Sequence, residues 1–331
     1  MQTVTLARHA MATRFEIVVH GSDAVALRAA GEEALDEVER LDHQLSLYQP
    51  SSEIAQINAR AAGEWVRATS PLFRLLQKAK QLSWETGGAF DITVAPLMRC
   101  WGFRTGTGEI PQLADLEKAR ANVGMDLVEL DERNIAVHFA RQGVMLDLGA
   151  IGKGYAIERA AALLRDAGVA SAILHGGTST IYAIGTPPDA ASWKVAVEYP
   201  PENPENPPAL LATVPLKDEA LSVSAVWGKS FKSGGMTYGH VIDPRTGQAL
   251  TGTALAAVAL PSATETDALS TALLTVGASG HSEIIGLRSR MRSLVIEGNQ
   301  HPGDRCVATH GITLERQAPE SSGIFQREKE R

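Results

Sequence analysis

The most regular feature of the chain is a set of segments in which apolar residues recur every three or four positions. This spacing places them on one face of a helix, and the segment 23–45 is typical of an amphipathic helix that covers a sheet. Ser70 and Pro71 form a cap and a first-turn proline, so they mark a second helix that we expect to end near Gly87. Further helices are predicted at 112–121, 153–167, 264–276 and 282–289, and a short one after a cap at Ser51 or Ser52.

Shorter segments alternate apolar with polar residues or are rich in β-branched residues. Phe15, Ile17 and Val19 alternate with polar neighbours, which predicts a strand over 14–20 with one buried face. Because strands occur in groups and do not alternate strictly with helices, the pattern favours an α+β fold over a doubly wound parallel sheet. Other strands are predicted at 126–130, 134–139, 144–148, 171–174, 193–199, 211–215, 221–224, 255–260 and 293–297, with an extended run after Gly88 and a proline-rich loop at 200–208.

Length and charge limit the classes of protein to which the chain can belong. Its 331 residues are 44% apolar, enough for a sizeable core, and we expect one domain over 1–317 followed by a polar tail over 318–331. The net charge of −7 disfavours broad binding to nucleic acid or to an anionic membrane, since both require a basic surface. A bound phosphate would therefore need a local metal ion or lysine.

Hydropathy and cysteine content exclude two further classes. No stretch is long and apolar enough to insert into a membrane, and no basic N-terminal region precedes an apolar run. As written, the chain is expected to be cytoplasmic, with a periplasmic location as the alternative if a signal segment has been removed. Cys100 and Cys306 lie far apart without metal-ligand spacing, so we expect two unpaired thiols and no zinc site.

The segment TETDALSTA at 264–272 contains a candidate metal site. If it is helical, Asp267 and Thr271 are one turn apart, so that a carboxylate and a hydroxyl project from the same face. Two hard oxygens in this arrangement suit Mg²⁺, which keeps water or phosphate in its other positions. On the spacing alone, a helix start in which Asp267 lies in the first turn and Thr271 only packs is the commoner explanation.

A second candidate, DLGAIGKGY at 147–155, lies between a predicted strand and a predicted helix. Its glycines let the backbone approach a phosphate, the helix start offers free N–H groups, and Lys153 adds a positive charge. The segment follows neither the Walker A order nor the GxGxxG order. A tight turn with an exposed lysine explains it equally well.

Two more residues have side chains suited to a site. His240 precedes a strong turn at 243–247 and could act as a general base because histidines titrate near neutrality, although the turn alone could explain the segment. Tyr48 lies in a loop before a predicted helix, where its ring could stack on a flat ligand or pack against the core.

The order of these motifs is more specific than any one of them. MAT at 11–13, the segment 46–58, TGGAFDITVAPL, DLGAIGKGY, HGGT, GHVIDPRTG and TDALSTAL follow one another from about Ala7 to Gly277. Together they resemble the ApbE family of FAD:protein FMN transferases. The resemblance implies an α+β fold with a T-fold-like core, in which mixed or antiparallel sheets are covered by helices in two intertwined lobes. It also implies that FAD lies between the lobes with Mg²⁺ beside its pyrophosphate.

The resemblance implies roles for individual residues as well. The implied metal ligands are the side chains of Asp267 and Thr271 and the backbone carbonyl of Gly152. The implied catalytic residues are His240 as base, Lys153 beside the phosphates, and Asp243. The residues implied in binding FAD are Met11, Tyr48, Glu53, Asp91, Thr93, Lys153, Gly176, Gly177, Thr178, Ser224 and Thr246.

The implied reaction is the Mg²⁺-dependent transfer of FMN from FAD to a Thr or Ser hydroxyl of an acceptor flavoprotein, with release of AMP. An FAD pyrophosphatase that yields FMN and AMP is the alternative enzyme, because both reactions use the same contacts. A flavin-binding protein without turnover is the other alternative. It is favoured if departures from the family pattern disable the site; these are Ala12 and Ala225, where glycine is common, and Thr178, where aspartate often follows the paired glycines.

Overall fold

The computed structural model describes residues 1–199, 208–226, 230–251, 253–298 and 305–315. Three helices begin at polar caps: the Asp23 carboxylate accepts hydrogen bonds from the N–H groups of Val25 and Ala26, the Ser52 hydroxyl accepts one from Ala55, and the Ser262 hydroxyl accepts one from Glu265. The helices are α1 (Ala24–Leu45), α2 (Glu53–Arg60), α3 (Ser70–Glu85), α4 (Ala95–Cys100), α5 (Leu113–Arg120), α6 (Gly152–Asp166), α7 (Ala263–Val276) and α8 (His281–Ile285).

The strands form four antiparallel sheets in this part of the chain. The largest has eight strands in the order β1-β2-β6-β7-β10-β14-β15-β16, and the small ones have the orders β11-β12-β13, β3-β5-β4 and β8-β9. The strands are β1 (Gln2–Ala10), β2 (Thr13–Gly21), β3 (Val66–Arg67), β4 (Val128–Asp131), β5 (Ala136–Phe139), β6 (Ser171–Gly176), β7 (Thr180–Ile184), β8 (Trp193–Tyr199), β9 (Ala209–Leu216), β10 (Glu219–Ala225), β11 (Ser230–Ser233), β12 (Met236–Ile242), β13 (Ala249–Thr251), β14 (Thr253–Leu260), β15 (Arg292–Gly298) and β16 (Arg305–His310).

The large sheet is covered on both faces, because successive side chains of a strand point to opposite sides. In β14, Ala256 and Val258 pack into the main core with helices α1, α6 and α7. Leu255 and Ala257, from the same strand, pack on the opposite face against the β8-β9 hairpin. Helices α6 and α7 therefore pack side by side on one face of this sheet.

A third and smaller apolar core joins α4 and α5 to β12 and β13. Trp101 lies at its centre, 2% exposed, with its ring centroid 5.5 Å from that of Tyr238. The Trp101 indole N–H donates a 2.8 Å hydrogen bond to the carbonyl of Gly247, just beyond the turn that follows β12. The strand that contains His240 thus lies between the small core, through Tyr238 and Ile242, and the main core, against which Val241 packs.

The α+β fold and the main helices are confirmed, and two local predictions are wrong. The segment 144–148 is not a strand, because the Asn58 side chain binds both the N–H and the carbonyl of Leu146 and leaves no strand partner there. The predicted extended run after Gly88 contains α4, which has Pro96 in its first turn. Residues 318–331 and most of the loop 200–208 lie outside the described residues, and the single domain over 1–317 stays a prediction. No helix within the described ranges has both the length and the apolar character needed to cross a membrane.

The two-residue turn between β1 and β2 predicts a stabilising substitution. Met11 and Ala12 have φ angles of 49° and 58°, a left-handed conformation that costs a residue with a Cβ about 1–2 kcal/mol. Ala12→Gly should therefore raise the free energy of unfolding by about 1 kcal/mol, seen as a higher urea midpoint at unchanged slope. Ala29→Gly, on the exposed face of α1, is the matched control and should lower it by about 1 kcal/mol. An Ala12→Gly protein less stable than the parent would contradict the assigned backbone conformation.

Two histidines predict a loss of stability in mild acid. Burial, and to a lesser extent the nearby His310, lowers the pKa of His281, whose Nε2 lies 2.9 Å from the Ser293 hydroxyl; burial also lowers the pKa of His175. Both imidazoles bind protons more weakly in the folded than in the unfolded protein. Their contribution to the free energy of unfolding is therefore complete above the ordinary pKa of 6.5 and is lost as the pH falls below it. Urea unfolding at a series of pH values should show this decline. The double variant His175→Gln, His281→Gln should flatten it, whereas His43→Gln, on the exposed surface, should not.

Candidate active site

The closest junction between chemistry-bearing segments is that of α6 with α7. The Asp267 Oδ2 atom accepts a 2.8 Å hydrogen bond from the backbone N–H of Gly154, in the first turn of α6. A Cβ at Gly154 would collide with the Ala263 carbonyl oxygen and lie 2.7 Å from the Asp267 Cβ, so only glycine permits this approach. The DLGAIGKGY and DALST motifs therefore meet at one point.

Hydroxyl groups line the turn of α7 that begins at Asp267, where the Ser270 and Thr271 hydroxyls donate to the Asp267 backbone carbonyl at 3.0 Å and 3.3 Å. The Ser224 Oγ, at the end of β10, lies 3.2 Å from the Thr271 Oγ1 and 2.8 Å from the Ser270 Oγ. Asp267 is only 4% exposed, and its Oδ1 accepts no hydrogen bond within the part of the chain that the structure describes, although this atom is still open to solvent. A carboxylate oxygen that solvent can reach is also open to a cation.

This set of oxygens fits a magnesium ion better than a softer metal. Carboxylate, hydroxyl and carbonyl oxygens are the ligands that Mg²⁺ prefers, and it usually keeps several waters. Within the described ranges, no three His, Cys, Asp or Glu side chains are grouped so that they could hold a metal. Asp267 and Thr271 thus have the chemistry expected of them, and their role as ligands stays a prediction.

The glycine loop before α6 presents backbone groups and one cation. The Asp147 Oδ1 accepts from the Gly149 N–H at 2.8 Å, and the Lys153 ammonium donates to the Gly149 carbonyl at 3.2 Å. No side chain caps the start of α6. Lys153 therefore lies beside the loop and could turn toward a phosphate, and Gly152, in the first turn, is buried.

Tyr48 lies at the surface beside this loop. Its side chain is 66% exposed, and the Arg104 guanidinium lies 5.4 Å from its ring centroid. Leu45, at the end of α1, would lie 4.0 Å from a Cβ at Gly152. The Tyr48 loop thus borders the start of α6, and the ring is accessible to a flat ligand.

Glu53 forms hydrogen bonds with neighbouring side chains and backbone of the protein. The Glu53 carboxylate accepts from the Gln44 amide and from the N–H and hydroxyl of Thr69, which joins α2 to the start of α3. Its oxygens are already engaged in the structure. Direct contact of Glu53 with FAD therefore stays a prediction, whereas its bracing of the Tyr48 loop is observed.

Asp91 and Thr93 form a buried hydrogen-bond network. The carboxylate accepts from the N–H and hydroxyl of Thr93, the N–H of Met125 and the hydroxyl of Ser83. Burial raises the pKa of Asp91 despite these hydrogen bonds, which favour the charged form. The Thr93 hydroxyl also accepts from the N–H of Gly124 at 2.7 Å. These two residues fix the loop that leads into α4.

The turn that contains Met11 lies near the paired glycines, because the Gly177 N–H donates to the Arg14 carbonyl at the start of β2. Gly177 has a φ of 64°, and a Cβ there would collide with the Thr13 hydroxyl next to the β1-β2 turn. Gly176 ends β6 and Thr178 is exposed. The Val223 N–H donates to the Ser179 carbonyl at 2.7 Å, which connects this turn to the strand of Ser224.

His240 lies in β12. A Cβ on Gly239 would be 2.7 Å from the Val226 Cβ, so glycine lets β12 pack against the end of β10. β12 also contacts α7. His240 is half-buried and is carried toward the strand of Ser224 by this close packing.

The turn after β12 is stabilised by its own side chains. Both carboxylate oxygens of Asp243 accept from the Arg245 guanidinium at 2.9 Å, and this pairing raises the pKa of Arg245. The Thr246 hydroxyl accepts from the Gln248 N–H. The geometry favours a bracing role for Asp243 and Thr246, and their predicted contact with the reaction stays untested.

A cleft of about 620 Å³ opens beside this turn. Its lining includes Gly88, Asp91, Pro244 and Arg245 but not Asp267, Thr271, Lys153 or Tyr48. The cleft therefore adjoins the motif residues without containing the metal candidates. The metal candidates lie at the hydrogen-bonded junction of α6 and α7 and not in the lining of this cleft.

The structure thus joins Gly152, Lys153, Ser224, Asp267 and Thr271, with Tyr48 and His240 on neighbouring segments. It places Glu53, Asp91, Thr93, Asp243 and Thr246 in networks that brace the surrounding loops. Sequence reasoning missed the hydroxyl of Ser270 and the Gly154 N–H. The three-residue spacing from Asp267 could have indicated Ser270, but no local signal marks Gly154 as the hydrogen-bond donor.

Comparison with known proteins identifies one family. The sequence profile of the ApbE family matches residues 11–294. A Salmonella typhimurium FAD:protein FMN transferase is 27% identical over 283 residues, covering 83% of this chain and 79% of the relative. A Klebsiella pneumoniae protein of the same name is 27% identical over 213 residues, and that match spans 64% of this chain and 64% of the relative.

Solved structures agree with the sequence matches. The crystal structure of the ApbE protein from Thermotoga maritima superimposes with a TM-score of 0.81 at 26% identity, covering 95% of this chain and 97% of the other. The apo form of Pseudomonas stutzeri flavinyl transferase ApbE gives 0.80 at 26% identity, with 94% and 95% covered. The resemblance therefore extends over nearly the whole fold.

Proposed function

This chain belongs to the ApbE family, and we propose on that basis that it is an enzyme that transfers FMN from FAD to a Thr or Ser hydroxyl of an acceptor flavoprotein and releases AMP. The names of its relatives support FMN transfer as the reaction class. The one structural observation that supports it most is the junction of α6 and α7, where the Asp267 carboxylate binds the Gly154 N–H and the Thr271 hydroxyl lies one helical turn further on, next to Ser224.

The transfer breaks one phosphoanhydride bond and forms one phosphoester bond. The acceptor hydroxyl oxygen attacks the phosphorus on the FMN side of FAD, and AMP leaves with the bridging oxygen. Asp267 and Thr271, with the carbonyl of Gly152, would hold Mg²⁺, which when bound withdraws charge from the pyrophosphate oxygens. In phosphoryl transfer, positioning and electrostatic stabilisation of this kind supply most of the rate.

Three side chains would bind the phosphates, accept the proton and hold a ring of FAD. Lys153 lies beside the glycine loop and would place a positive charge against the phosphates. His240 would accept the proton of the attacking hydroxyl, a contribution typically of about 10²- to 10⁴-fold. Tyr48 would stack on a ring of the dinucleotide, since its face is exposed.

A denaturing gel tests the proposal directly. The protein is mixed with FAD, Mg²⁺ and a flavoprotein encoded beside it, and the denatured products are examined for flavin fluorescence and for AMP. Fluorescence that stays on the acceptor, with one AMP released per flavin, supports transfer. Free FMN with AMP would instead show an FAD pyrophosphatase, and unchanged FAD would show a binding protein without turnover. A parallel sample with EDTA tests the metal requirement.

A further inference from the structure

Two arginines near Tyr48 have no acidic partner. The Arg99 and Arg104 guanidiniums point to the same atom, the Sδ of Met145, at 3.5 Å and 3.3 Å. Neither forms an ion pair with a carboxylate in the described part of the chain, whereas Arg245 and Arg288 do. A thioether is a weak acceptor, so the strong donors of both guanidiniums remain available.

The Arg104 guanidinium also covers one face of the Tyr48 ring, on which a flat ligand could stack. The guanidinium lies 5.4 Å from the Tyr48 ring centroid, although the Tyr48 side chain is 66% exposed. A cation held over an exposed ring gains only about 0.5–1 kcal/mol. A flat ligand ring can therefore displace Arg104 from Tyr48 at small cost, and the guanidinium then needs another partner.

The position of the pair indicates what that partner is. Met145 precedes Asp147 by two residues, and the loop from Asp147 leads into the start of α6. Arg99 and Arg104 therefore place two positive charges, neither paired with a carboxylate of the described residues, in a chain whose net charge of −7 gives an anion no general attraction. Guanidinium groups present a planar fork of donors that matches phosphate oxygens.

We propose that Arg104, assisted by Arg99, is a specificity-determining residue that binds a phosphate of the flavin dinucleotide once a ring of that ligand has replaced the guanidinium on Tyr48. The inference rests on the proposed function. It assigns to Arg104 the discrimination between flavins that carry phosphate and those that do not. Arg99 and Arg104 were not among the site residues that the sequence predicted.

The test compares the affinities of the full chain for FAD and for riboflavin, which lacks phosphate, with Mg²⁺ present and no acceptor. Arg104→Gln should weaken FAD binding about tenfold, as expected for loss of a charge-assisted hydrogen bond, and change riboflavin binding less than about twofold. In Arg104→Gln, the FAD dissociation constant should rise less steeply with salt concentration, because the charge pair between Arg104 and the phosphate, which salt screens, is lost. Arg104→Lys, which keeps the charge and loses the fork, should fall between the two.

Arg28→Gln is the matched control, since it removes one exposed positive charge near the other end of α1 and should leave FAD affinity unchanged. Equal weakening of FAD and riboflavin by Arg104→Gln would overturn the proposal in favour of simple ring packing. Unchanged FAD affinity in Arg104→Gln would overturn the proposal, and a raised KM for the acceptor in a separate transfer assay of that variant would then indicate an acceptor contact. A parent protein that binds no FAD would overturn the proposed function as well, whereas a parent that binds FAD as tightly as Arg104→Gln would overturn this inference alone.

Discussion

Asp267→Asn is expected to lower the rate of FMN transfer about 10³-fold while the protein stays folded. The amide oxygen can still accept the hydrogen bond from the Gly154 N–H, so α6 and α7 keep their junction. The charge that a cation needs is lost, and electrostatic groups of this kind are each worth about 10²- to 10³-fold in rate. Transfer rates measured across a Mg²⁺ titration, with thermal unfolding as the check on folding, would show the loss.

Thr271 offers a matched pair of controls for the same site. Thr271→Ser keeps the hydroxyl and should retain most of the activity, whereas Thr271→Val keeps the shape and should lose much of it. His240→Gln should cost less than Asp267→Asn, about 10²-fold, because general base catalysis contributes less than charge stabilisation here. Full activity in the double variant Asp267→Asn, Thr271→Val would show that the metal site has been assigned to the wrong residues.

Gly154→Ala is expected to damage both the fold and the activity. The new methyl group would collide with the Ala263 carbonyl oxygen, and backbone atoms cannot move aside as a flexible side chain can. Overpacking of this kind costs about 3 kcal/mol at its upper range, and relief requires α7 to shift. Because Asp267 is on α7, the shift should also reduce the transfer rate.

The measurement is a urea unfolding curve together with the transfer rate under saturating FAD. Gly152→Ala is the stability control, since a Cβ there would have its nearest neighbours at 3.8 Å and 4.0 Å, ordinary contact distances. It should change the free energy of unfolding by less than about 1 kcal/mol. If Gly154→Ala proved as stable as the parent, the close approach of the two helices would be wrong.

The parts of the fold that the sequence predicts well are those set by local pattern. Helix α1 follows from apolar spacing, and α3 from the proline Pro71 in its first turn, although the predicted cap at Ser70 is wrong because Thr69 takes that position and Ser70 is already helical. The segment 144–148 failed because its apolar residues resemble a strand, while Asn58, which satisfies Leu146, is 88 residues away. Strand β12 was missed for the same reason, since its pairing with β11 and β13 is invisible to local pattern.

The same limit applies to the site. A four-residue spacing was enough to place Asp267 and Thr271 on one helical face, and family resemblance supplied the roles. Neither could show that Asp267 binds the Gly154 N–H, 113 residues distant, or that Arg104 lies over Tyr48. Contacts between distant segments decide which oxygens are free and which are engaged, and only the fold contains that information.

The division of the apolar interior into separate cores has a mechanical consequence. Trp101 and Tyr238 anchor the segment with His240 in the small core, whereas the helix of Asp267 is packed in the main one. The two cores meet at β12, because Val241 packs against the main core and the strand contacts α7. Loosening the small core would therefore displace His240 relative to Asp267 while the main core stays intact.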